Sequence, residues 1–223
     1  DYAVDERIGN EIIKAQVDAY RRLRNTLRFL LGNLAGFDDS ERLAVNEMPE
    51  LDQWALHRLS ELDVLVRQCC ADYDFHRLYV ALGNFCTNDL SAFYLDIRKD
   101  ALYCDDASSI RRRAARTVLD QVFSTLTAWL APILCFTAEE AWQARFPEDD
   151  SVHLRQFPAI PADWRNDALA DRWSKVRTLR RVVTGALEVE RREKRIGASL
   201  QGHPTVYAPG EYLAAMEGLD AAE

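Results

Sequence analysis

Arg98, Lys99 and Tyr103 fall close together in the run FYLDIRKDALYCD, from Phe93 to Asp105. The chemistry these residue types offer is binding. A guanidinium or an ammonium meets phosphate oxygens, and a phenol ring stacks on an unpaired base, so the run suits an RNA loop. It also suits an ordinary helix end, where cations complement the helix dipole. Three more cations, Arg111, Arg112 and Arg113, follow a short polar stretch.

Residues fit for catalysis are present but do not gather. The carboxylate pairs Glu139–Glu140 and Asp105–Asp106 fall on expected helix caps and surfaces. The histidines His57, His76, His153 and His203 are scattered, and none shares a motif with Cys or Ser. Neither G-x-x-x-x-G-K-[ST] nor G-x-G-x-x-G occurs, and His153 lacks the second histidine of an H-x-G-H signature. The cysteines Cys69, Cys70, Cys86, Cys104 and Cys135 form no C-x-x-C pair. Most lie in apolar helical patterns, where a free Cys behaves as a small hydrophobe. The expectation is no catalytic residue, no metal and no cofactor in this chain, and a reducing cytoplasm around it.

Composition sets the frame. The chain has 223 residues, enough for one large or two small domains with a buried core. The formal net charge of −8 argues against an indiscriminate nucleic-acid coat and leaves room for a local basic patch. No window reads as a membrane span or signal peptide. The first residue is Asp, not Met, so a piece of a longer protein is expected.

The elements that would position these residues are helices. Residues 10–33 keep helical period, with Ile13, Val17, Tyr20, Leu23, Leu27, Leu31 and Leu34 on one stripe. Pro49 opens a second helix to about residue 72, with Leu51, Trp54, Leu59, Leu62, Val66 and Cys69 inward. Asp74 caps a third, whose stripe runs from Phe75 to Ile97. A fourth covers about 108–131. Thr137 with Glu140 reads as a capping box for a short fifth helix. Pro147, Pro158 and Pro161 mark a connector, followed by a long helix over about 168–195 and a short strand over Thr205–Ala208.

The predicted fold is all-α: an elongated up-and-down bundle over residues 1–150. Residues 151–223 would form a connector, a long helix and the start of a small α/β-like appendage. Four long helices of roughly 22–25 residues would each span roughly 33–37 Å. Short loops make consecutive helices antiparallel. The end of the first helix, the 35–48 loop, the end of the third and the start of the fourth then share one tip. That tip collects Arg98, Lys99, Tyr103, Arg111, Arg112 and Arg113.

Helical phase also places two charges inward. Counting 100° per residue, Arg24 lies about 40° from Tyr20 and Asp89 about 20° from Leu82. Both would be largely buried at similar depth, which predicts a structural Arg24–Asp89 ion pair, with Asp96 or a neighbouring amide assisting.

Five segments occur in a characteristic order: Tyr20–Asp38 (YRRLRNTLRFLLGNLAGFD), Asp52–Leu59 (DQWALHRL), Tyr73–Asp105, Leu130–Trp142 (LAPILCFTAEEAW) and Glu193–Leu200 (EKRIGASL). Together they resemble the C-terminal, anticodon-binding region of the bacterial-type isoleucyl-tRNA synthetases, from about Asp1 to Ala208. The opening DYAVDERIGNEIIK resembles the segment just after that family's catalytic domain. The resemblance implies a tRNA(Ile)-binding module of an enzyme that joins isoleucine to tRNA using ATP with magnesium, and zinc. The family's H-x-G-H and K-M-S-K-S signatures and its editing domain lie upstream, and its zinc-binding cysteines lie downstream. It further implies that the distal tip receives the anticodon loop, with Lys99 first, then Arg98 and Arg112. Arg177, Arg180, Arg181, Arg191, Arg192, Lys194 and Arg195 would form a second basic surface. Ala101 departs from the family, where many relatives carry Arg. The competing readings are the equivalent region of a valyl-tRNA synthetase and a helical protein-interaction scaffold.

Overall fold

The computed structural model describes residues 8–219. Residues 1–7, the first half of the segment that resembles the one just after a catalytic domain, lie outside them. The chain divides into two compact units, one up to Arg165 and one from Asn166 onward.

The first unit is a bundle of α1 (Asn10–Asn33), α2 (Glu50–Ala71), α3 (Phe75–Asn84), α4 (Leu95–Cys104), α5 (Ile110–Leu130) and α6 (Cys135–Arg145). Helix α5 is its axis. Every residue from Ala114 to Leu130 except Gln121 and Ser124 is buried, because α1, α2, α4 and α6 all pack against it. A helix apolar on all sides needs neighbours on all sides. Only the second half of α1 has such neighbours: Leu23, Leu27, Leu30 and Leu34 are buried, whereas Ile12, Ile13 and Val17 are exposed. The apolar stripe expected to start at Ile13 therefore becomes core from Leu23.

Helix α2 follows the sequence reading, with Leu51, Trp54, Leu59, Leu62, Val66 and Cys69 buried. It ends in a Schellman motif: the amide of Asp74 donates to Cys69 O at 2.9 Å and that of Tyr73 to Cys70 O at 3.4 Å. Tyr73 takes the left-handed conformation there, with φ of 56°. The Asp74 side chain then caps α3 by accepting from the amide of Arg77.

Between α3 and α4 the rod continues without a break through a π-helix, Phe85–Tyr94. The sequence explains it. Leu78, Leu82, Cys86, Leu90, Tyr94, Arg98 and Leu102 are all buried, at strict four-residue spacing. At 3.6 residues per turn, each such step overshoots a full turn by about 40°. Over six steps an α-helix would carry this stripe about 240° around the rod. The wider π turns absorb that drift and keep the stripe on the core, where Phe93 meets Trp54 edge-on at 5.1 Å.

The expected Thr137–Glu140 capping box does not form. Helix α6 starts earlier, at Cys135, so Thr137 already lies inside it and its hydroxyl bonds with Tyr20 Oη at 3.0 Å. The connector is pinned to the bundle by Arg155. Its guanidinium lies 3.8 Å from the Trp142 ring centroid and donates to Ser124 O and Oγ. Burial there holds that guanidinium below its usual range.

The second unit is built on α7 (Asp167–Arg192), capped by Asn166, with the short α8 (Gly210–Met216). Leu169, Trp173, Val176 and Ala215 are its buried apolar residues. Gly202 comes so close to α7 that a Cβ there would lie 2.4 Å from Leu187 Cδ2. The strand expected over Thr205–Ala208 is absent, and there is no strand among the described residues, so the appendage is not α/β-like. With no second strand to complete a ladder, that segment has no pairing partner.

Candidate nucleic-acid interface

The end of α1, the loop after it, the end of α4 and the start of α5 do meet at one end of the bundle. Asn33 Nδ2 donates to Tyr103 Oη at 3.5 Å, and Arg113 donates to Ser40 O and Glu41 O, each at 3.2 Å. The loop after α1 is anchored through Phe37, whose ring lies 5.4 and 5.5 Å from the Arg42 and Arg116 guanidinium carbons. Arg42 in turn reaches Asp120 at 2.7 Å, and Asp120 also binds Arg145. Sequence reading missed this cluster because its members come from three separate segments, the loop after α1, α5 and α6.

The six residues placed at the tip by sequence divide into three groups. Arg98 is not at the surface: it is 1% exposed. Its Nη2 donates to Asp52 Oδ2 at 2.6 Å and its Nε to Oδ1 at 3.2 Å, and Tyr94 Oη donates to the same Oδ1 at 2.6 Å. Burial, with Asp52 adding to it, pushes the Tyr94 hydroxyl well above the usual tyrosine range, so it stays a donor. Arg98 belongs to the four-residue stripe that the π-helix keeps on the core, and this corrects its assignment to RNA.

Arg111, Arg112 and Arg113 are half-buried and serve the tip's own architecture. Arg111 pairs with Asp105 at 3.4 Å, Arg112 donates to Asp105 O at 2.8 Å, and Arg113 holds the loop before α2. Asp106 accepts from the amide and hydroxyl of Ser108, which holds its carboxyl below the usual range. The loop that joins α4 to α5 is thus tied at several points.

Lys99 and Tyr103 remain outward. Tyr103 is 63% exposed. Lys99 is exposed with only a loose tie to Asp96 at 3.3 Å, across one turn. The two are one four-residue step apart, on a line that also carries Thr87, Ser91 and Leu95. Ala101 is fully buried, so that position faces the bundle in this chain.

The predicted Arg24–Asp89 pair is corrected. Arg24 is exposed and makes a two-pronged bond to Glu140, at 2.6 and 2.8 Å. That contact lowers the Glu140 carboxyl below its usual range and raises Arg24 above its own. Asp89 is buried as expected, but its partner is Arg58 at 3.1 Å, which also binds Glu61. Phase counting places Asp89 inward correctly and fails at Arg24, which reaches Glu140 on α6 instead of the core, while Arg58 on α2 reaches Asp89.

On the second unit, Arg191 pairs with Glu188 at 3.1 Å, and Arg195 binds Glu190 and Glu193. Lys194 sits between them in the left-handed conformation, with φ of 58°. Among the described residues no group of His, Cys, Asp or Glu side chains is arranged to hold a metal ion. No helix of those residues is long and apolar enough to cross a membrane.

The first unit is thus a helical bundle that carries Lys99 and Tyr103 outward at one end, the one tied to Asp96 and the other to Asn33. The family model described as the anticodon-binding domain of tRNA ligase matches residues 52–206, and the chain belongs to that family. More particularly, it is similar to bacterial isoleucine–tRNA ligases. It is 55% identical over 224 residues to that of Agrobacterium fabrum, 54% to that of Brucella abortus and 50% to that of Bartonella henselae. The whole chain aligns in each case, yet it spans only 23% of each relative's length.

Proposed function

We propose that this chain is the part of an isoleucine–tRNA ligase that holds the anticodon arm of tRNA(Ile), and that it performs no chemistry itself. The observation that carries the reading is the contrast at the tip. Arg98 and Arg111–Arg113 are occupied inside the protein, whereas Lys99 and Tyr103 are left outward on adjacent turns. Lys99 supplies charge to a phosphate and Tyr103 a face for an unpaired base. Arg111–Arg113 hold the loops around that pair, and their half-exposed edges add positive potential.

In this reading the catalytic and editing domains precede the chain and a zinc-binding domain follows it, all within one cytoplasmic enzyme. ATP with magnesium, and the zinc, belong to those parts. Residues 1–150 are the anticodon-binding bundle, and residues 151–223 are the connector, the long helix and the beginning of a junction subdomain. The similarity to isoleucine–tRNA ligases favours isoleucine over valine.

The test is binding of a tRNA(Ile) transcript to the chain, followed by fluorescence anisotropy over a range of salt. Binding that weakens in Lys99→Ala and Tyr103→Ala supports the reading. A chain that binds no tRNA at any salt would leave the scaffold reading in its place.

A further inference from the structure

Beside the tip, α1 and the π-helix with α4 enclose a half-open groove of about 460 Å³. Its cations are Arg22, Arg28 and Lys99, and its other polar walls are Asn25, Thr87 and Ser91. No carboxylate lines it. Cys86 and Thr26 form the buried floor.

Two features separate this groove from an ordinary solvated surface. The first is charge. Arg24, Arg42, Arg58, Arg67 and Arg98 each carry a carboxylate partner. Among the described residues the side chains of Arg22 and Arg28 have neither an ion pair nor a hydrogen bond, in a chain with a net charge of −8. Two guanidinium groups without an ion pair, on one wall of a concave site that no carboxylate lines, focus a positive potential there, although Asp96 ties Lys99 at its end and Asp18 pairs with Arg21 one turn before Arg22.

The second is alignment. The opposite wall, Thr87, Ser91, Leu95 and Lys99, keeps four-residue spacing from the π-helix into α4, and Tyr103 is the next residue of that series. The groove therefore leads directly to the tip. Arg22 and Arg28 are six residues apart, about 9 Å along α1, and their side chains can serve different phosphates of one strand. Thr87 and Ser91 present hydroxyls, and Asn25 an amide, suited to ribose 2′-hydroxyls.

We propose that this groove is a second RNA contact, seating a stretch of sugar–phosphate backbone with Arg22 and Arg28 on phosphates and Thr87 and Ser91 toward the riboses. It rests on the reading of the chain as a tRNA-binding module and extends it from the tip to the side of the bundle.

The test compares the wild-type chain with Arg22→Gln/Arg28→Gln and with Thr87→Val/Ser91→Ala. Each is titrated with a tRNA(Ile) transcript and with a DNA strand of the same sequence, at several salt concentrations. The arginine pair is exposed and unpartnered, so circular dichroism and Tm should match wild type. Loss of two phosphate contacts should reduce the salt slope of log K by about 1.4–1.8 and the affinity at least about tenfold at low salt. The hydroxyl variant should narrow the preference for RNA over DNA. An unchanged slope and affinity in the arginine variant, with wild type still binding, overturns this inference alone. A wild-type chain that binds no tRNA removes the functional reading and this inference together. Equal weakening by millimolar inorganic phosphate and by RNA would mean a site for free phosphate, and would overturn it too.

Discussion

Arg98 forms a two-pronged ion pair with Asp52 across 46 residues of sequence, with Nη2 to Oδ2 at 2.6 Å and Nε to Oδ1 at 3.2 Å, inside the bundle. Both partners are 1% exposed or less. The bond ties the rod containing α4 to the first turn of α2, and Tyr94 completes the coordination of the carboxylate.

Removing one partner leaves the other charged and buried. Arg98→Ala should cost about 3–5 kcal/mol of stability in urea unfolding. Asp52→Leu/Arg98→Met should recover part of that loss, because a well-packed apolar pair does not strand a charge. A loss below about 1 kcal/mol for Arg98→Ala would mean the pair is not buried in solution.

Lys99 should behave in the opposite way. Lys99→Ala should change stability by less than about 0.5 kcal/mol while reducing the salt slope of tRNA binding by roughly 0.7–0.9. Tyr103→Ala should weaken binding by about 1–3 kcal/mol, the range for a base stacked on an aromatic ring. Adjacent residues thus separate folding from binding in two measurements on each variant.

Alkaline pH should destabilise the first unit through Cys86. Burial pushes that thiol from an ordinary value of 9.0 up to about 12. The folded state keeps the proton that the unfolded chain releases, so the stabilisation is complete below pH 9 and is lost as pH rises towards 12. At roughly 1.4 kcal/mol per tenfold change in acidity, the loss across that window is at most about 4 kcal/mol. Cys86→Ala should flatten the stability profile between pH 9 and pH 12. At pH 8 a thiol reagent should modify the exposed Cys104 and Cys135 well before Cys86.

Lys194 occupies a left-handed position that favours glycine. The Schellman bonds around it, Lys194 N to Arg191 O at 3.0 Å and Arg195 N to Glu190 O at 2.9 Å, need that conformation and not that side chain. Lys194→Gly should stabilise the end of α7 by about 0.5–1 kcal/mol. Slower amide exchange at Arg195 would report it, and faster exchange would argue that the side chain itself holds the turn.

The helices were legible because their apolar residues repeat at helical period and their ends carry Pro49, Asp74 and Pro147. The shared tip followed from helix lengths and short loops. Arg98 was misplaced because a basic pair at a helix end looks exposed in sequence, and nothing local marks Asp52, far back on α2, as its partner. The four-residue repeat from Leu78 to Leu102 was visible in the letters and is the signal that could have found both the π-helix and the burial of Arg98. Arg22 and Arg28 were passed over for a different reason. A cation becomes informative when it lacks a partner, and partners are a property of three dimensions.

The π-helix has a consequence for how this protein tolerates change in length. It works as a phase corrector: the azimuth of Lys99 and Tyr103 relative to the core is set by the number of residues between Leu82 and Tyr94. Deleting one residue just beyond the π-helix, in the α-helical turn between Leu95 and Arg98, shortens the rod by only about 1.5 Å, yet swings everything further on by about 100°. The basic end would then point away from the lane that leads to it, and Arg98 would be turned out of its socket. A loop of equal length could lose a residue and merely tighten. Along this stretch, the residue count is itself a functional quantity.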